Sequence, residues 1–154
     1  MKKVVNLGVI GIDHGHIFDM LNEMIKEGCS CNYFWTEGDP LTLQEFIKKY
    51  PNIKRKKNKE EILNDSSIDM ILISSIPVDR ADHSIDALKA GKDVMVDKPG
   101  CTTLDQLNNL KKTVKETGKI WSINFSERFH VSAVTKAEEL VNEGKIGKVK
   151  QTIG

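Results

Sequence analysis

Short apolar segments alternate with amphipathic segments along the chain, and this alternation constrains the fold more than any other feature. Apolar runs predict strands at Val4–Ile10, Tyr33–Trp35, Met70–Ile73 and Val94–Val96, with Ile120–Asn124 as the sixth strand. Apolar residues at helical spacing predict helices at Ile17–Lys26, Leu43–Lys49, Lys59–Leu63, Arg80–Ala90, Thr103–Glu116 and Val131–Glu143. The pattern therefore predicts an α/β fold, a doubly wound, Rossmann-like parallel sheet in the strand order 3-2-1-4-5-6.

Charge and cysteine content exclude several classes of protein. The chain of 154 residues has 23 Lys and Arg against 22 Asp and Glu, a net charge of +1, which argues against a dedicated nucleic-acid binder. No apolar run approaches the roughly 18–20 residues that span a bilayer, and the start lacks the features of a signal peptide. The odd set Cys29, Cys31 and Cys101 favours reduced thiols, so we expect a cytoplasmic protein without nucleic-acid or membrane partners.

One basic run, from Lys54 to Lys59, stands out from this balanced background. A run of like charges is usually a solvated connection, and we interpret this one so. A patch that contacts phosphate or a partner is the alternative.

The loop Gly11–His16 follows the first strand, and ligands of doubly wound sheets bind where the strands end. A glycine-rich turn there lets backbone N–H groups approach a pyrophosphate at a helix N-terminus. Gly11 fits the first position of the usual G-x-G-x-x-G pattern, Asp13 replaces the second glycine, Gly15 is displaced by one residue, and His16 stands near the third glycine. The match predicts a dinucleotide loop, but by itself it is weak.

Asp13 opposes a diphosphate, because two like charges 4 Å apart repel by about 1 kcal/mol in water. Three interpretations stay open. Asp13 caps the first helix within a modified nucleotide loop, where His14 and His16 donate to the phosphates; or the loop has lost cofactor binding; or Asp13, His14 and His16 hold a metal ion. The last is the weakest, because the spacing supplies too few ligands, and we predict no metal site.

Glu37 follows the second strand at the distance where an acid accepts hydrogen bonds from the adenosine ribose, with Asp39 as the substitute candidate. An acid here disfavours a 2′-phosphate, so we predict NAD rather than NADP. A surface acid in a turn is the alternative for Glu37.

The segment A-G-K-D-V-M-V-D-K-P, residues 90–99, with Thr102-Thr103-Leu104 after it, resembles the Gfo/Idh/MocA family of NAD(P)-dependent oxidoreductases. Ser75-Ile76-Pro77 and the ending N-E-G-K-I-G-K-V, residues 142–149, support the resemblance, which covers nearly the whole chain. It implies a nucleotide-binding domain that takes part in hydride transfer between a nicotinamide and a sugar, polyol or similar hydroxylated small molecule.

The resemblance also implies roles for individual residues. Lys98 is the catalytic candidate beside the reacting carbon, with a solvated lysine in a turn as the alternative. Asp97 stands where the family usually has Glu, and the Lys98-Pro99 bond is expected to be cis, which is inexpensive before proline. Ser75 and Pro77 would line the cofactor groove, while Asn124, Arg128 and Phe129 would help to enclose the nicotinamide. For His83 and His130 we expect ordinary surface or capping roles.

Family members continue for about another domain, so we expect residues 1–145 to form the dinucleotide-binding domain and residues 146–154 to begin a second domain that is missing. A strand predicted at Val149–Ile153 would then be an unpaired edge, which favours a homo-oligomer or a second chain that supplies the missing domain. Two function classes stay open: an enzyme or its cofactor-binding portion, and a non-catalytic nucleotide-binding or assembly domain that has lost turnover.

Overall fold

The computed structural model describes residues 4–126 and 131–152, and it confirms the predicted alternation of strands and helices. The strands are β1 Asn6–Ile12, β2 Ser30–Trp35, β3 Lys54–Arg55, β4 Met70–Ser74, β5 Asp93–Asp97 and β6 Trp121–Asn124. The helices are α1 His16–Lys26, α2 Leu43–Lys49, α3 Glu60–Leu63, α4 Arg80–Lys89, α5 Leu104–Thr117 and α6 Ser132–Asn142.

All six strands are parallel, in the order β3-β2-β1-β4-β5-β6, so the predicted topology is confirmed. The winding reverses between β1 and β4, which are adjacent in the sheet. In such sheets the crevice outside the carboxyl ends of these two strands is where ligands bind. The loops that follow β1, β2, β4 and β5 therefore border the expected ligand site.

Two apolar clusters cover the two faces of the sheet. One includes Leu21 of α1 and Phe46 of α2, and the other includes Leu88 of α4 and Leu110 of α5. Buried on both sides, the central strands read as continuous apolar runs, and Ile71, Leu72 and Ile73 of β4 are fully buried. Each such side chain stabilises the fold by about 1.5–3 kcal/mol.

The first strand runs two residues further than predicted. The apolar pattern predicts an end at Ile10, but β1 continues through Gly11 to Ile12, which is fully buried and pairs with Ser74. Gly11 has φ +74°, and a Cβ on it would lie 2.5 Å from the Cβ of Ser75. A side chain is therefore excluded at Gly11 because two backbone segments meet there.

The third strand, for which the sequence analysis assigned no residues, lies inside the basic run. Lys54 and Arg55 pair with Tyr33 and Phe34 of β2 as a two-residue edge strand. Both residues are exposed, although Arg55 also lines the larger of the cavities described below, and no apolar pattern marks the strand.

The chain divides into two compact units, residues 1–124 and 125–154. In the second unit, α6 has no buried residue among those described. Residues 149–152 pair with no strand among the described residues, so the strand predicted at Val149–Ile153 as an unpaired edge stays a prediction. Ile153 lies outside the described residues. No helix in the described ranges has the length and apolarity to cross a membrane.

Candidate functional site

The loop between β1 and α1 is fastened to the end of β4. The backbone N–H of His14 donates to the carbonyl of Ser74 at 3.2 Å, and the Ser74 hydroxyl donates to the carbonyl of His14 at 3.2 Å. Together with the contact between Gly11 and Ser75, these bonds hold the start of α1 beside the neighbouring strand.

Asp13 does not cap α1, so that part of the sequence interpretation is wrong. The helix begins at His16 with Gly15 at the N-cap position, which places Asp13 two residues too early, and no side chain caps the helix. Instead, Nδ1 of His14 accepts from the N–H of His16 at 3.3 Å. Burial raises the pKa of Asp13, and the charge of Asp79 adds to this rise, while a backbone hydrogen bond and Arg80 lower it.

Two neighbouring cavities lie along the carboxyl edge around β2 and β4. One has a volume of about 170 Å³, and its lining includes Gly11, Asp13, Glu37 and Ser75. The other, of about 420 Å³, is lined by Thr36, Glu37, Arg55 and surrounding residues. Glu37 borders both cavities, as does Trp35, whose ring meets that of His83 edge-on at 5.9 Å between centroids. The structure therefore brings Glu37 together with the glycine turn and Ser75.

Two other candidates lie elsewhere. Asp39 forms an ion pair with Arg55 at 2.8 Å and does not line either cavity, and Pro77 is not among their lining residues. His83, expected to have a surface or capping role, is half-buried and borders both cavities. Burial lowers the pKa of His83, and Lys59 lowers it further. Nothing in the local sequence marked this histidine, because the cavity forms between elements distant along the chain.

Three polar atoms at these cavities lack hydrogen-bond partners. The hydroxyls of Thr36 and Ser75 and Nδ1 of His83 are buried and make no hydrogen bond to the described residues. Buried polar groups almost always have a partner, which here the protein does not supply. Because the atoms have almost no accessible surface, a ligand in the cavities would reach them once these side chains turn toward it.

Asp97, at the end of β5, connects several segments at the other side of the carboxyl edge. Its carboxylate is fully buried. Oδ1 accepts from the N–H of Lys98 at 2.9 Å and lies 2.8 Å from Nδ1 of His16. Oδ2 lies 2.9 Å from Nη2 of Arg80, close enough for an ion pair, although the N–H groups are not aligned for a hydrogen bond. Nδ1 of His14 is 3.4 Å from the same oxygen.

Arg80, the first residue of α4, is the functional residue that sequence reasoning missed. Its side chain is 2% exposed, Nε donates to the carbonyl of Ser75 at 2.7 Å, and Nη1 donates to the carbonyl of Lys98. Burial lowers the pKa of Arg80, and the charge of Asp97 opposes this. The available signal was its helical spacing with Ser84, Ala87 and Leu88, which are also buried.

The half-buried Lys98 is held through its backbone on both sides, since its N–H contacts Asp97 and its carbonyl contacts Arg80. The expected cis bond between Lys98 and Pro99 is confirmed. Asn124 pairs in register with Asp97, which places it at the same edge. Arg128, with Phe129 and His130, lies outside the described residues.

The structure brings together three side chains that could bind a metal ion, and they are not the three considered from the sequence. Ligand atoms of His14, His16 and Asp97 lie within 4.8 Å of one another, with Asp97 in the place that Asp13 would have taken. The buried guanidinium of Arg80 beside the Asp97 carboxylate works against a second cation there. The absence of a metal site stays a prediction.

The edge fits a dinucleotide in most respects. The orphaned Thr36, Ser75 and His83 atoms need partners, Glu37 is placed for a ribose, and a Cβ on Gly15 would meet nothing within 4 Å, so space is open before α1. Asp13, also at the cavity, is the feature that opposes a phosphate. Such a cofactor would supply the hydride chemistry.

Comparisons with known proteins agree with this fit. The family model GFO_IDH_MocA, described as an oxidoreductase family with an NAD-binding Rossmann fold, matches residues 5–125. The NAD(+)-dependent scyllo-inositol 2-dehydrogenase of Bacillus subtilis is 31% identical over 113 residues, which cover 72% of this chain and 33% of that enzyme. The NADP(+)-dependent scyllo-inositol 2-dehydrogenase of the same organism is 23% identical over 92% of this chain and 38% of its own length.

A crystal structure from Erwinia carotovora atroseptica SCRI1043, assigned only provisionally as an oxidoreductase, superposes with a TM-score of 0.89 at 34% identity, covering 94% of this chain and 43% of that one. The chain thus spans well under half the length of these relatives. Relatives of both cofactor types occur, and the comparisons do not favour the non-catalytic alternative. The chain therefore belongs to the Gfo/Idh/MocA oxidoreductase family, of which it carries the NAD-binding Rossmann fold.

Proposed function

We propose that this chain is the cofactor-binding portion of an NAD-dependent oxidoreductase that transfers hydride between a nicotinamide and the carbinol carbon of a polyol or sugar-like molecule. The observation that carries the proposal is the set of orphaned polar atoms on Thr36, Ser75 and His83 at the carboxyl edge. They lie where doubly wound sheets bind nucleotides. The inositol dehydrogenases among the relatives support a hydroxyl-rich substrate.

Glu37 supports NAD over NADP. Its carboxylate would accept from ribose hydroxyls and repel a 2′-phosphate. The guanidinium of Arg55, which lines the same cavity, is engaged by the carboxylate of Asp39 and the carbonyls of Thr36 and Gly38. Lys59, also at this cavity, is paired with Asp86, which leaves Lys57 as the lining cation that a 2′-phosphate would meet together with the acid.

Lys98 would hold the reacting oxygen. Contacts of its backbone with Asp97 and Arg80 fix the point from which the side chain extends. An ammonium in a desolvated cleft can donate a hydrogen bond to the substrate oxygen or exchange a proton with it. The chain would also form a homo-oligomer, and a strictly monomeric mass by light scattering would contradict this.

Tryptophan fluorescence offers a direct test, because Trp35 borders both cavities. Titration with NADH should quench Trp35, and the Trp35→Phe variant should lose most of the quenching. NADH should bind several times more tightly than NADPH, since a repulsion of about 1 kcal/mol corresponds to roughly fivefold in affinity. Absence of binding at millimolar NADH and NADPH would overturn the proposal.

A matched pair of variants tests the cofactor preference. Glu37→Gln should narrow the difference in affinity between NADH and NADPH. Glu45→Gln, which changes an acid in the first turn of α2, should leave that difference unchanged. NADH formation from scyllo-inositol or myo-inositol that is lost in Lys98→Ala would support the role of Lys98. Equal turnover in both proteins would remove that role.

A further inference from the structure

His16 and Asp97 form an imidazole–carboxylate pair that the proposed function does not use. The two residues are 81 positions apart in the sequence, yet Nδ1 of His16 lies 2.8 Å from Oδ1 of Asp97. Asp97 has an exposed side-chain fraction of 1%, and His16 one of 25%. Because an ionised carboxylate can only accept, the proton of this bond sits on Nδ1 of His16.

The carboxylate cannot readily turn away from the imidazole. The N–H of Lys98 donates to the same oxygen, and the guanidinium of Arg80 lies 2.9 Å from the other oxygen. Asp97 is thus held on both sides, and His16 is held in one tautomer. Nε2 of His16 keeps its lone pair and makes no hydrogen bond to any described residue.

We infer that His16 is the proton acceptor of this site, with Asp97 as the residue that positions it. The inference rests on the proposed function. The substrate hydroxyl gives its proton to Nε2 of His16 as its carbon loses a hydride to the oxidised nicotinamide, which leaves a carbonyl and reduced cofactor. Asp97 stabilises the imidazolium that forms, and this arrangement is the one by which a buried carboxylate orients a catalytic imidazole elsewhere.

The surroundings favour this role. Lys98 follows Asp97 directly, so the imidazole and the ammonium belong to the same end of the sheet. The other titratable or charged groups at the pair are Arg80, on Oδ2, and His14, whose ring lies 4.3 Å from that of His16. Nδ1 of His14 accepts the His16 N–H, so a neutral His14 carries its proton on Nε2. The two neighbouring histidines should therefore have opposite tautomers.

The tautomers can be read by NMR on the wild-type chain labelled with ¹⁵N-histidine, at a pH about two units above the ordinary imidazole pKa of 6.5. Long-range ¹H–¹⁵N correlations should show His16 protonated on Nδ1 and His14 protonated on Nε2. Signals are assigned from the loss of one set each in His14→Gln, His16→Gln and His83→Gln. A His16 protonated on Nε2, or averaged between the two forms, would overturn the inference.

Two further measurements sharpen the result. In Asp97→Asn, His16 should no longer hold a single tautomer, whereas Asp82→Asn, at an exposed position of α4, should leave the His16 tautomer unchanged. If Asp97→Asn does not fold, the wild-type spectrum decides the question. Equimolar Zn²⁺ should leave both histidines unchanged, and its coordination by His14 and His16 would make this a metal site instead.

The outcomes separate the two proposals. A fixed Nδ1 proton on His16 with no NADH binding would refute the proposed function. NADH binding with an averaged His16 would refute only the assignment of the proton acceptor.

Discussion

The two sides of the sheet's carboxyl edge differ in the burial and the contacts of their polar side chains. Around β2, Glu37 is exposed, and three polar atoms on neighbouring residues lack partners. Around β5, Asp97 and Arg80 are almost completely buried and form an ion pair, and backbone groups bond to both side chains. Side chains of the first side line cavities that a ligand could enter, whereas at the second side the charged groups are buried against one another. Substitutions should therefore change mainly binding at the first side and mainly stability at the second.

The largest effect should come from separating the buried ion pair. Arg80→Met leaves the Asp97 carboxylate without its cation and removes the bonds to Ser75 and Lys98, so the free energy of unfolding should fall by about 3–5 kcal/mol. Lys59→Met is the control, because it breaks the more exposed pair with Asp86 and should cost less than about 1 kcal/mol. Denaturation in urea measures the free energy of unfolding of both variants. Equal losses would contradict the expected difference between the buried and the more exposed ion pair.

A smaller loss is expected at the backbone of the β1–α1 loop. Gly11→Ala introduces a Cβ 2.5 Å from that of Ser75 at φ +74°. Gly28 also has a positive φ, of +91°, but open space around it. Gly11→Ala should therefore lower the free energy of unfolding by about 1–3 kcal/mol more than Gly28→Ala does. Similar losses would mean that the loop yields to the added methyl group.

The sequence was sufficient for the strand order, but it did not place β3 and did not show the contacts that Asp97 makes with Arg80 and His16. Strand order follows from apolar runs and the rules of crossover connections, and both are local or general. The pairs between Arg80 and Asp97 and between His16 and Asp97 join separate βα units, so no local pattern contains them. Glu37 could be placed because its position depends only on where β2 ends. The cap assigned to Asp13 failed because the helix begins two residues later than a capping aspartate requires.

Asp13 should affect binding more than folding. At neutral pH its carboxylate opposes a phosphate at the cavity, so Asp13→Asn should tighten NADH binding several-fold, the equivalent of about 1 kcal/mol. Asp82→Asn, an exposed acid of α4, should leave the affinity unchanged. Fluorescence titration compares the two variants. Weaker binding in Asp13→Asn would mean that the carboxylate contacts the cofactor favourably.

The smallest expected effect is a pH dependence of the free energy of unfolding that arises from His83, which lines both cavities. Burial lowers its pKa in the folded chain below the ordinary 6.5, so the unfolded chain takes up the proton first as the pH falls. Stability should therefore decrease on acidification from pH 6.5 down to the folded pKa, and change little above 6.5 from this group. His83→Phe should remove this part of the dependence, while His14→Gln should retain it. The same slope in wild type and His83→Phe would show that the histidine is not desolvated. A bound ligand that donates a hydrogen bond to Nδ1 of His83 favours the neutral ring. NADH should therefore make the stability depend more steeply on pH in the wild type, and not in His83→Phe.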